Sequence, residues 1–498
     1  MIDIQLKYHL HEKWFTKNQL SVIGTAFIGE KLLHDKALYD FFDGELNEAV
    51  FKQKLNQLSG HFAVVIKKEN EVYFAVDYLR TYPLFYFISN KEVLICDNIV
   101  QYKIWNENTS DYFSKLFCTP ENETLLKNWK QLQAGAYGIF QTENGNTVFK
   151  QDFYYKHQAV HTQAFDKNLL KQLEDKLIYQ IKTIAQDKTI LLPLSGGYDS
   201  RYLLSLLYQH NIKSVVCFTY GKKDSYEVVF ARNSAEKLKY PWHFIDYDDN
   251  LLSLFLGEEW NSYAELNHHY TSLPHEQDFF ALHYLKSKNL LPENAIVMNG
   301  FCQDLHGGSI FESGRRFDAT SYIQSKYKVV APASVTTSKN DYQAYQDWFI
   351  RNRVSKFIIN AVHVYAYFGL SFYLPFWDKT WIQFWYNLPI KERIGQQVYN
   401  DYIFSDYFKP LFVDFKKPLF DTTLALHSLK QTAKKILPKK IVEAIQNQNA
   451  NRDEYDVNNT RFLYEFIYKK LKNTPPQKNY KINEIHALFL LESLKNEL

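Results

Sequence analysis

The segment 191–200 reads LLPLSGGYDS and joins a predicted strand to a predicted helix. An apolar run at 190–194 leads into it, and a stretch with apolar residues at helical spacing follows at 202–208. A buried strand of this kind delivers its loop to the carboxyl edge of a sheet, where open α/β folds bind ligands. Its two glycines let the backbone approach a phosphate, while the loop amides and the next helix point at negative charge.

The side chains of this loop match the same chemistry. Ser195 and Ser200 add hydroxyl donors, and Asp199 could hold a Mg²⁺ ion that neutralises phosphates. The loop lacks the Lys followed by Ser or Thr of a Walker A loop. Its S-G-G-x-D-S pattern is instead similar to the pyrophosphate-gripping loop of ATP pyrophosphatases. A chance Gly-rich turn is the alternative, and the strand–loop–helix setting disfavours it.

Strand and helix patterns alternate on either side of this loop, which predicts an α/β fold with a doubly wound parallel sheet. Short apolar strands are predicted at 215–220, 243–245 and 295–298, and helices at 169–184, 228–238 and 279–288. From about residue 340 the pattern is mainly helical, which predicts a helical C-terminal extension.

The first 155 residues show a different pattern. Short apolar runs lie close together at 21–29, 61–66, 72–76 and 84–88. Such runs, separated by turn residues, predict stacked antiparallel sheets. A helix is predicted at 48–58, with Asn47 as its N-cap. We therefore expect two domains, 1–157 and 158–498.

A second carboxylate follows the strand predicted at 295–298. Residues 299–308 place Asp304 and two glycines at the carboxyl end of that strand. Asp199 and Asp304 could share a metal ion on either side of a triphosphate. Taken alone, Asp304 is equally compatible with a turn or capping role.

These motifs together resemble the asparagine synthetase family, which also includes β-lactam synthetases and lasso-peptide cyclases. The resemblance extends over most of the chain and is carried by the segments 195–200, 218–245, 299–308, 367–378 and 388–389. In the first part, residues 60–63, Asp77 and residues 83–86 resemble a class II glutamine amidotransferase domain, which folds as stacked antiparallel sheets.

The resemblance implies ATP and Mg²⁺ as cofactors. It also implies a reaction in which a substrate carboxylate is adenylated, pyrophosphate leaves, and an amine or ammonia forms an amide. A small molecule, a peptide or a sugar acid could supply the carboxylate. By the same resemblance, Asp199 and Asp304 hold the metal, with Asp304 also in a catalytic role. The implied nucleotide contacts are Leu194 and Tyr220 for adenine, Ser195, Gly196, Gly197 and Ser200 for pyrophosphate, and Asn299 and Gly300 for ribose and phosphate.

The chain also departs from that family. Residue 2 is Ile and the first cysteine is Cys96, so we expect no N-terminal thiolate and no glutaminase activity. The family's acidic and basic acceptor positions fall on Phe301, Leu305, residues 371–373 and the lysine-free segment 395–399. We therefore expect that the chain binds ATP and that its side chains facing the acceptor substrate differ from those of the family. The alternative is a catalytically altered module that binds a nucleotide or a partner.

Composition excludes several other classes. A net charge of +3 over 498 residues gives no reason for a nucleic-acid partner and disfavours a tRNA-modifying enzyme. Four scattered cysteines without a C-x-x-C pair disfavour a disulfide framework or a Cys-rich zinc site.

No basic and apolar leader is visible, and the uncharged segment 357–377 fits a buried helix and loop better than a membrane span. A cytoplasmic protein is expected, and a homo-oligomer is left open.

Two further groups have ordinary interpretations. His268, His269 and His275 match no standard zinc spacing and are expected to be core or acceptor-pocket histidines. Lys430, Lys434, Lys435, Lys439 and Lys440 form a basic stretch. A solvated helix face is the simpler interpretation, and contact with an anionic substrate, a carrier or a membrane surface is the alternative.

Overall fold

The computed structural model describes residues 2–7, 11–89, 92–143, 146–311, 317–416, 456–471 and 482–497. The predicted basic stretch at 430–440 and the Pro475–Pro476 break lie outside these residues.

The first part of the chain forms two sheets. A four-stranded sheet has the order β1-β8-β7-β9, and a seven-stranded sheet has the order β11-β10-β6-β5-β3-β2, with β4 also paired to β3. The strands are β1 Ile2–Gln5, β2 Phe15–Lys17, β3 Leu20–Ile28, β4 Lys31–His34, β5 Ser59–Lys67, β6 Glu71–Val76, β7 Phe85–Ile88, β8 Val93–Cys96, β9 Trp129–Gln131, β10 Ala136–Glu143 and β11 Asn146–Phe153.

A third sheet of five parallel strands lies in the second part of the chain. Its order is β14-β13-β12-β15-β16, so the direction in which strands are added reverses at β12. The strands are β12 Thr189–Pro193, β13 Val215–Gly221, β14 Trp242–Asp246, β15 Ala295–Met298 and β16 Ser371–Tyr373. Such a reversal opens a crevice at the carboxyl ends of the two central strands.

Helices connect and cover these sheets. They are α1 Lys36–Phe42, α2 Glu48–Gln57, α3 Glu107–Leu116, α4 Lys167–Ala185, α5 Tyr198–Gln209, α6 Tyr226–Lys237, α7 Asp249–Leu252, α8 Glu258–His268, α9 Gln277–Ser287, α10 Gln303–Gly307, α11 Ala319–Tyr327, α12 Ala333–Thr336, α13 Asp341–Phe349, α14 Val362–Tyr367, α15 Lys379–Asn387, α16 Ile390–Arg393, α17 Gln397–Ile403, α18 Thr460–Lys470 and α19 Ile482–Glu497. Ile350–Ile358 and Phe404–Phe408 are π-helical, and Ile359–Ala361, Pro375–Trp377 and Ile394–Gln396 are 3₁₀ turns.

The central strands of the seven-stranded sheet are buried on both faces, which explains why β5 is a continuous apolar run. Phe62 and Val64 belong to a core shared with α1 and α2, whereas Val65 belongs to a core shared with the four-stranded sheet. Alternate side chains of one strand therefore enter different cores. Asn47 caps α2, because its Oδ1 accepts a hydrogen bond from the Val50 amide at 2.9 Å.

The predicted strands and helices around the loop are confirmed, each within a few residues of its predicted bounds. Two expectations were incomplete. The region after residue 340 is not purely helical, because Ser371–Tyr373 pairs in parallel with β15. The first part is not purely antiparallel, because β1 pairs in parallel with β8. Both pairings join segments far apart in sequence, which local periodicity does not reveal.

Asp378 makes one of the contacts between the two parts of the chain. Its Oδ2 accepts a hydrogen bond from the Ser59 hydroxyl at 2.9 Å, and its carboxylate pairs with Lys176 at 3.0 Å. Its other oxygen caps α15 through the Thr380 amide at 2.9 Å. Among the described helices, none is both long enough and apolar enough to cross a membrane.

Candidate functional site

A cavity of about 570 Å³ opens at the carboxyl edge of the parallel sheet. The ends of β12, β13 and β15 and the first turn of α5 line it. Of the predicted site residues, Leu194, Ser195, Gly197, Asp199, Ser200, Tyr220, Asn299, Gly300 and Asp304 line this cavity. Gly196 does not line the cavity and is buried within the loop.

Hydroxyl groups hold the loop after β12 in a closed turn. The Ser195 amide donates to Oγ of Ser200 at 3.1 Å, and the two serine hydroxyls lie 3.0 Å apart. The Gly197 amide donates to Oγ of Ser195 at 3.1 Å. Gly197 is also the N-cap of α5, so the loop leads directly into the positive end of a helix.

Gly196 is required by packing. A Cβ at this position would lie 2.8 Å from the Cα of Glu227 on α6, which is too close for any side chain. This glycine therefore lets the loop lie directly against the next helix of the sheet.

Arg201 holds the loop through hydrogen bonds to its backbone carbonyls. It is fully buried, and its guanidinium donates to the carbonyl of Gly196 at 3.0 Å and more weakly to that of Gly197 at 3.4 Å. The same group donates to the carbonyls of Val413 and Phe415 at 2.7 and 2.8 Å. Because all four acceptors are neutral carbonyls, a positive charge remains under the loop. Burial lowers the pKa of Arg201 to about 10, so the guanidinium stays charged at neutral pH.

The end of β13 forms another wall of the cavity. The Thr219 hydroxyl donates to the Leu194 carbonyl at 2.6 Å and accepts from the Trp242 indole at 2.8 Å. The Tyr220 ring stacks on the Tyr247 ring with centroids 4.8 Å apart and planes 9° apart. These contacts fix the strand ends beside the loop and present an aromatic surface.

A segment far along the chain closes this wall. Val457 and Asn458 line the cavity, and the Lys222 amide donates to the Val457 carbonyl at 2.7 Å. Gly221, with φ of +128°, permits the approach, because a Cβ there would lie 2.5 Å from the Val457 carbonyl oxygen. Asn459 fastens the segment through its side-chain donation to the Tyr247 carbonyl at 3.0 Å.

The loop after β15 lies against the first turn of α5. A Cβ on Gly300 would lie 2.7 Å from the carbonyl carbon of Asp199. Beside it, the side-chain Nδ2 of Asn299 donates to the Tyr365 hydroxyl at 3.1 Å, and that hydroxyl donates to Oδ2 of Asp278 at 2.6 Å. Close backbone contact at Gly300 brings the two predicted metal carboxylates together.

Asp199 and Asp304 are in direct contact. The Asp304 amide donates to Oδ2 of Asp199 at 2.9 Å, and the Tyr399 hydroxyl donates to Oδ1 at 2.8 Å. Burial raises the pKa of Asp199 well above its ordinary value, and the Asp304 carboxylate adds to that rise. Two adjacent carboxylates are most stable with a cation between them.

The donor set fits Mg²⁺. That ion prefers oxygen ligands and is typically held by one or two carboxylates together with substrate phosphates and water. Asp199 and Asp304 could supply the carboxylate oxygens. The described residues contain no group of three or more His, Cys, Asp or Glu arranged to hold a metal, so phosphate and water oxygens would complete the shell.

The described lining is acidic. It contains four carboxylates, Asp199, Glu227, Asp278 and Asp304, and neither Lys nor Arg. Oε2 of Glu227 is buried and has no hydrogen-bond partner among the described atoms. A bare triphosphate would be repelled by such a surface, whereas a triphosphate carrying Mg²⁺ would be tolerated.

The positions that depart from the asparagine synthetase pattern are divided between cavity and core. Phe301 lines the cavity, whereas Leu305 is buried behind it. From the lysine-free segment, Gln396 lines the cavity and donates to the Asp304 carbonyl at 3.0 Å. Tyr399 of the same segment contacts Asp199. The side chains that this segment brings to the cavity and to Asp199 are therefore neutral hydrogen-bond donors.

The histidine and cysteine candidates lie in surroundings that fit a structural role. His268 and His269 are buried, and His269 lies 3.2 Å from His363, nitrogen to nitrogen. His275 is partly buried, with Nε2 3.8 Å from Asp278. Cys302 lines the cavity, and burial and then the neighbouring aspartates raise the pKa of its thiol well above the usual range. A protonated thiol is a poor nucleophile.

Sequence reasoning missed several contributors. Arg201, Tyr399, Asp278 and the pair Val457 and Asn458 all take part in the loop or the cavity. Arg201 lies in the helix that follows the loop, which is the only local signal for any of them. Tyr399 lies in the lysine-free segment 395–399 that the resemblance marks, whereas Asp278, Val457 and Asn458 come from segments that no nearby motif marks.

No protein-family model and no curated protein sequence matches the chain. Several solved structures share partial similarity with this chain. An NH3-dependent NAD synthetase from Campylobacter jejuni is 17% identical over 29% of this chain and 62% of its own, with a TM-score of 0.21. An NMN synthetase from Francisella tularensis is 13% identical over 44% of this chain and 93% of its own, with a TM-score of 0.21. A glutamine phosphoribosylpyrophosphate amidotransferase from B. subtilis is 10% identical over 57% and 62%, with a TM-score of 0.18.

The alignment with the Campylobacter jejuni protein spans less than two-thirds of that protein. TM-scores near 0.2 do not establish a shared fold. A functional interpretation therefore rests on the cavity and its residues.

Proposed function

We propose that this chain is an ATP-using synthetase that forms amide bonds. A substrate carboxylate would attack the α-phosphorus of ATP, pyrophosphate would leave, and an amine or ammonia would then displace AMP from the acyl-adenylate. The observation that carries the proposal is the loop 195–200 at a sheet edge, with Asp199 hydrogen-bonded to the second carboxylate segment at Asp304.

Each predicted residue has a role in this proposal. The Ser195 and Ser200 hydroxyls and the positive end of α5 would bind the β- and γ-phosphates. Gly197 would allow close approach, while Gly196 would let the loop pack against α6. Leu194 and Tyr220 would contact adenine, while Asn299 and Gly300 would contact the ribose and the α-phosphate. Asp199 and Asp304 would hold Mg²⁺, which supplies charge neutralisation at the phosphates.

We propose that the first part of the chain, 1–157, supports the synthetase part, 158–498, and does not hydrolyse glutamine. Its two cysteines are Cys96 and Cys118, and both are buried. Burial raises the pKa of the Cys96 thiol well above its usual range and raises that of Cys118. Neither offers the thiolate that glutamine hydrolysis needs, so free ammonia or an amine is the proposed nitrogen source.

A second candidate function is nucleotide or partner binding without chemistry. The absence of Lys and Arg from the described lining favours it, because adenylation develops negative charge that a basic group usually stabilises. The two candidates differ in whether ATP is cleaved.

The test is turnover of ATP across a panel of carboxylates, with hydroxylamine as the acceptor. The synthetase proposal predicts pyrophosphate release and a matching amount of hydroxamate, both lost in Asp199→Asn. The control is Asp187→Asn, because Asp187 is exposed and lies outside the cavity. ATP binding without pyrophosphate release for any carboxylate would favour the binding module.

A further inference from the structure

A second cavity of about 220 Å³ lies away from the parallel sheet edge. Residues of α13, α15 and α16 contribute to its lining, and it shares no lining residue with the larger cavity among those described. Arg393 is the only ionised side chain of its described lining. The remaining groups are amides, hydroxyls and apolar side chains.

The Arg393 guanidinium is buried without a counterion among the described residues. Its side chain is 4% exposed. It donates to Oε1 of Gln346 at 2.7 Å and to the His306 carbonyl at 3.2 Å, and both acceptors are neutral. Burial lowers the pKa of Arg393 to about 10, so its charge is retained at neutral pH. A buried charge that lacks an ionic partner is expensive unless something supplies one.

Aromatic rings flank this guanidinium. Its central carbon lies 5.0 Å from the centre of the Phe311 ring and 5.2 Å from that of Tyr386. Both rings also line the cavity. The Tyr386 hydroxyl is buried and has no hydrogen-bond partner among the described atoms. Buried hydroxyls without a partner are uncommon in folded proteins, and their presence indicates a missing polar partner.

We propose that this second cavity binds a small monocarboxylate, held by the Arg393 guanidinium beside Tyr386. The planar fork of Arg matches a carboxylate. One positive charge in an otherwise neutral lining balances one negative charge, whereas a phosphate dianion would leave a charge unpaired. The apolar side chains of Leu388 and Ile390 suit a short alkyl or neutral tail. This site goes beyond the proposed function, because it does not include the ATP cavity.

Binding is tested on the full chain by calorimetry and by thermal unfolding. The probes are acetate, propionate and butyrate, compared with phosphate, sulfate and chloride at matched ionic strength. We expect saturable binding of at least one monocarboxylate with a Kd of about 1 mM or tighter, and phosphate at least about tenfold weaker. A bound monocarboxylate should also raise the unfolding temperature.

Two variants locate the site. Arg393→Gln removes the charge, and Thr162→Trp fills the cavity from an exposed position on its rim. Each should weaken monocarboxylate binding about tenfold or more. If Arg393→Gln does not fold, monocarboxylate binding by Thr162→Trp is the test of the site. Asp199→Asn should leave monocarboxylate binding unchanged, which separates this proposal from failure of the ATP proposal.

Several results would overturn the proposal. One is no saturable monocarboxylate binding up to about 50 mM. A second is equal affinity for phosphate and for the monocarboxylates. A third is unchanged monocarboxylate binding in both site variants, or in Thr162→Trp if Arg393→Gln does not fold. A fourth is loss of monocarboxylate binding in Asp199→Asn.

Discussion

The Asp304 amide donates a hydrogen bond to Oδ2 of Asp199 at 2.9 Å, across 105 residues of sequence. This bond joins the loop after β15 to the first turn of α5, at the point where the strand order of the parallel sheet reverses. A backbone donor fixes the orientation of one carboxylate, and the neighbouring Asp304 carboxylate could share a cation with it. The proposed metal site therefore depends on how two strand ends are packed.

Tyr399→Phe should weaken Mg²⁺-dependent ATP binding about tenfold, because the lost hydroxyl orients Asp199. The measurement is ATP affinity as a function of Mg²⁺ concentration. Tyr402→Phe is the matched control, since it removes a hydroxyl of the same helix that donates instead to Glu174 at 2.6 Å. Both variants should lose about 1–2 kcal/mol of stability, but only the first should alter Mg²⁺ dependence. Equal ATP affinity in the two variants would contradict the role of Tyr399.

Arg201→Gln should lower the free energy of unfolding by about 3 kcal/mol, because several buried carbonyls lose their donor. ATP affinity should fall as well, since the Gly196 carbonyl is no longer held. Chemical denaturation and ATP titration measure the two effects. Arg461→Gln is the control, because its pair with Glu465 is exposed and should contribute little. A fully stable Arg201→Gln protein with unchanged ATP affinity would count against this anchor.

Gly300→Ala should separate the two carboxylate segments, because the added Cβ would lie 2.7 Å from the Asp199 carbonyl carbon. We expect a stability loss of about 1–3 kcal/mol and a loss of Mg²⁺-dependent ATP binding. Gly257→Ala is the control, because Gly257 is exposed and its nearest neighbour would be the Leu254 carbonyl at 3.0 Å. Retention of ATP binding in Gly300→Ala at wild-type affinity would show that this close contact is dispensable.

The chain should be sensitive to acid through buried neutral histidines. Burial lowers the pKa of His157 from 6.5 to about 3, and its Nε2–H donates to the Tyr78 carbonyl at 2.7 Å. Between these values the unfolded chain binds more protons than the folded chain, so the free energy of unfolding decreases as pH falls from about 6.5 towards 3. Each such histidine contributes a slope of about 1.4 kcal/mol per pH unit.

His157→Gln should remove the contribution of one histidine, so the slope should fall by about 1.4 kcal/mol per pH unit. The measurement is the free energy of unfolding at several pH values between about 4 and 7. Gln keeps a side-chain donor, so the Tyr78 contact can persist. His161→Gln is the control, because His161 is exposed. The same slope in His157→Gln as in wild type would contradict the assignment.

Local sequence patterns predicted most of the parallel sheet. The strands β12, β13 and β15 and the helix α5 were all visible, because each is an apolar run or a helical repeat of its own. The loop between β12 and α5 could be interpreted chemically, because its glycines and hydroxyls are adjacent in sequence. These are properties of short segments, and they need no knowledge of long-range packing.

Long-range contacts could not be predicted in this way. Tyr399 meets Asp199 across 200 residues, and Arg201 finds carbonyl partners at Val413 and Phe415. The resemblance sets an acceptor position at residues 371–373, yet these residues form the edge strand β16. Three residues are too few to show a strand period, and side-chain partners depend on the complete fold.

A Mg²⁺-dependent ATP site at Asp199 and Asp304 can be measured by calorimetric titration of ATP into the full chain. Titrations with Mg²⁺ and with a chelator would be compared for wild type, Asp199→Asn and Asp187→Asn. We expect micromolar binding for wild type and Asp187→Asn in Mg²⁺, with at least about a tenfold loss in the chelator or in Asp199→Asn. No binding by wild type, or the same affinity in all of these conditions, would rule out this ATP site.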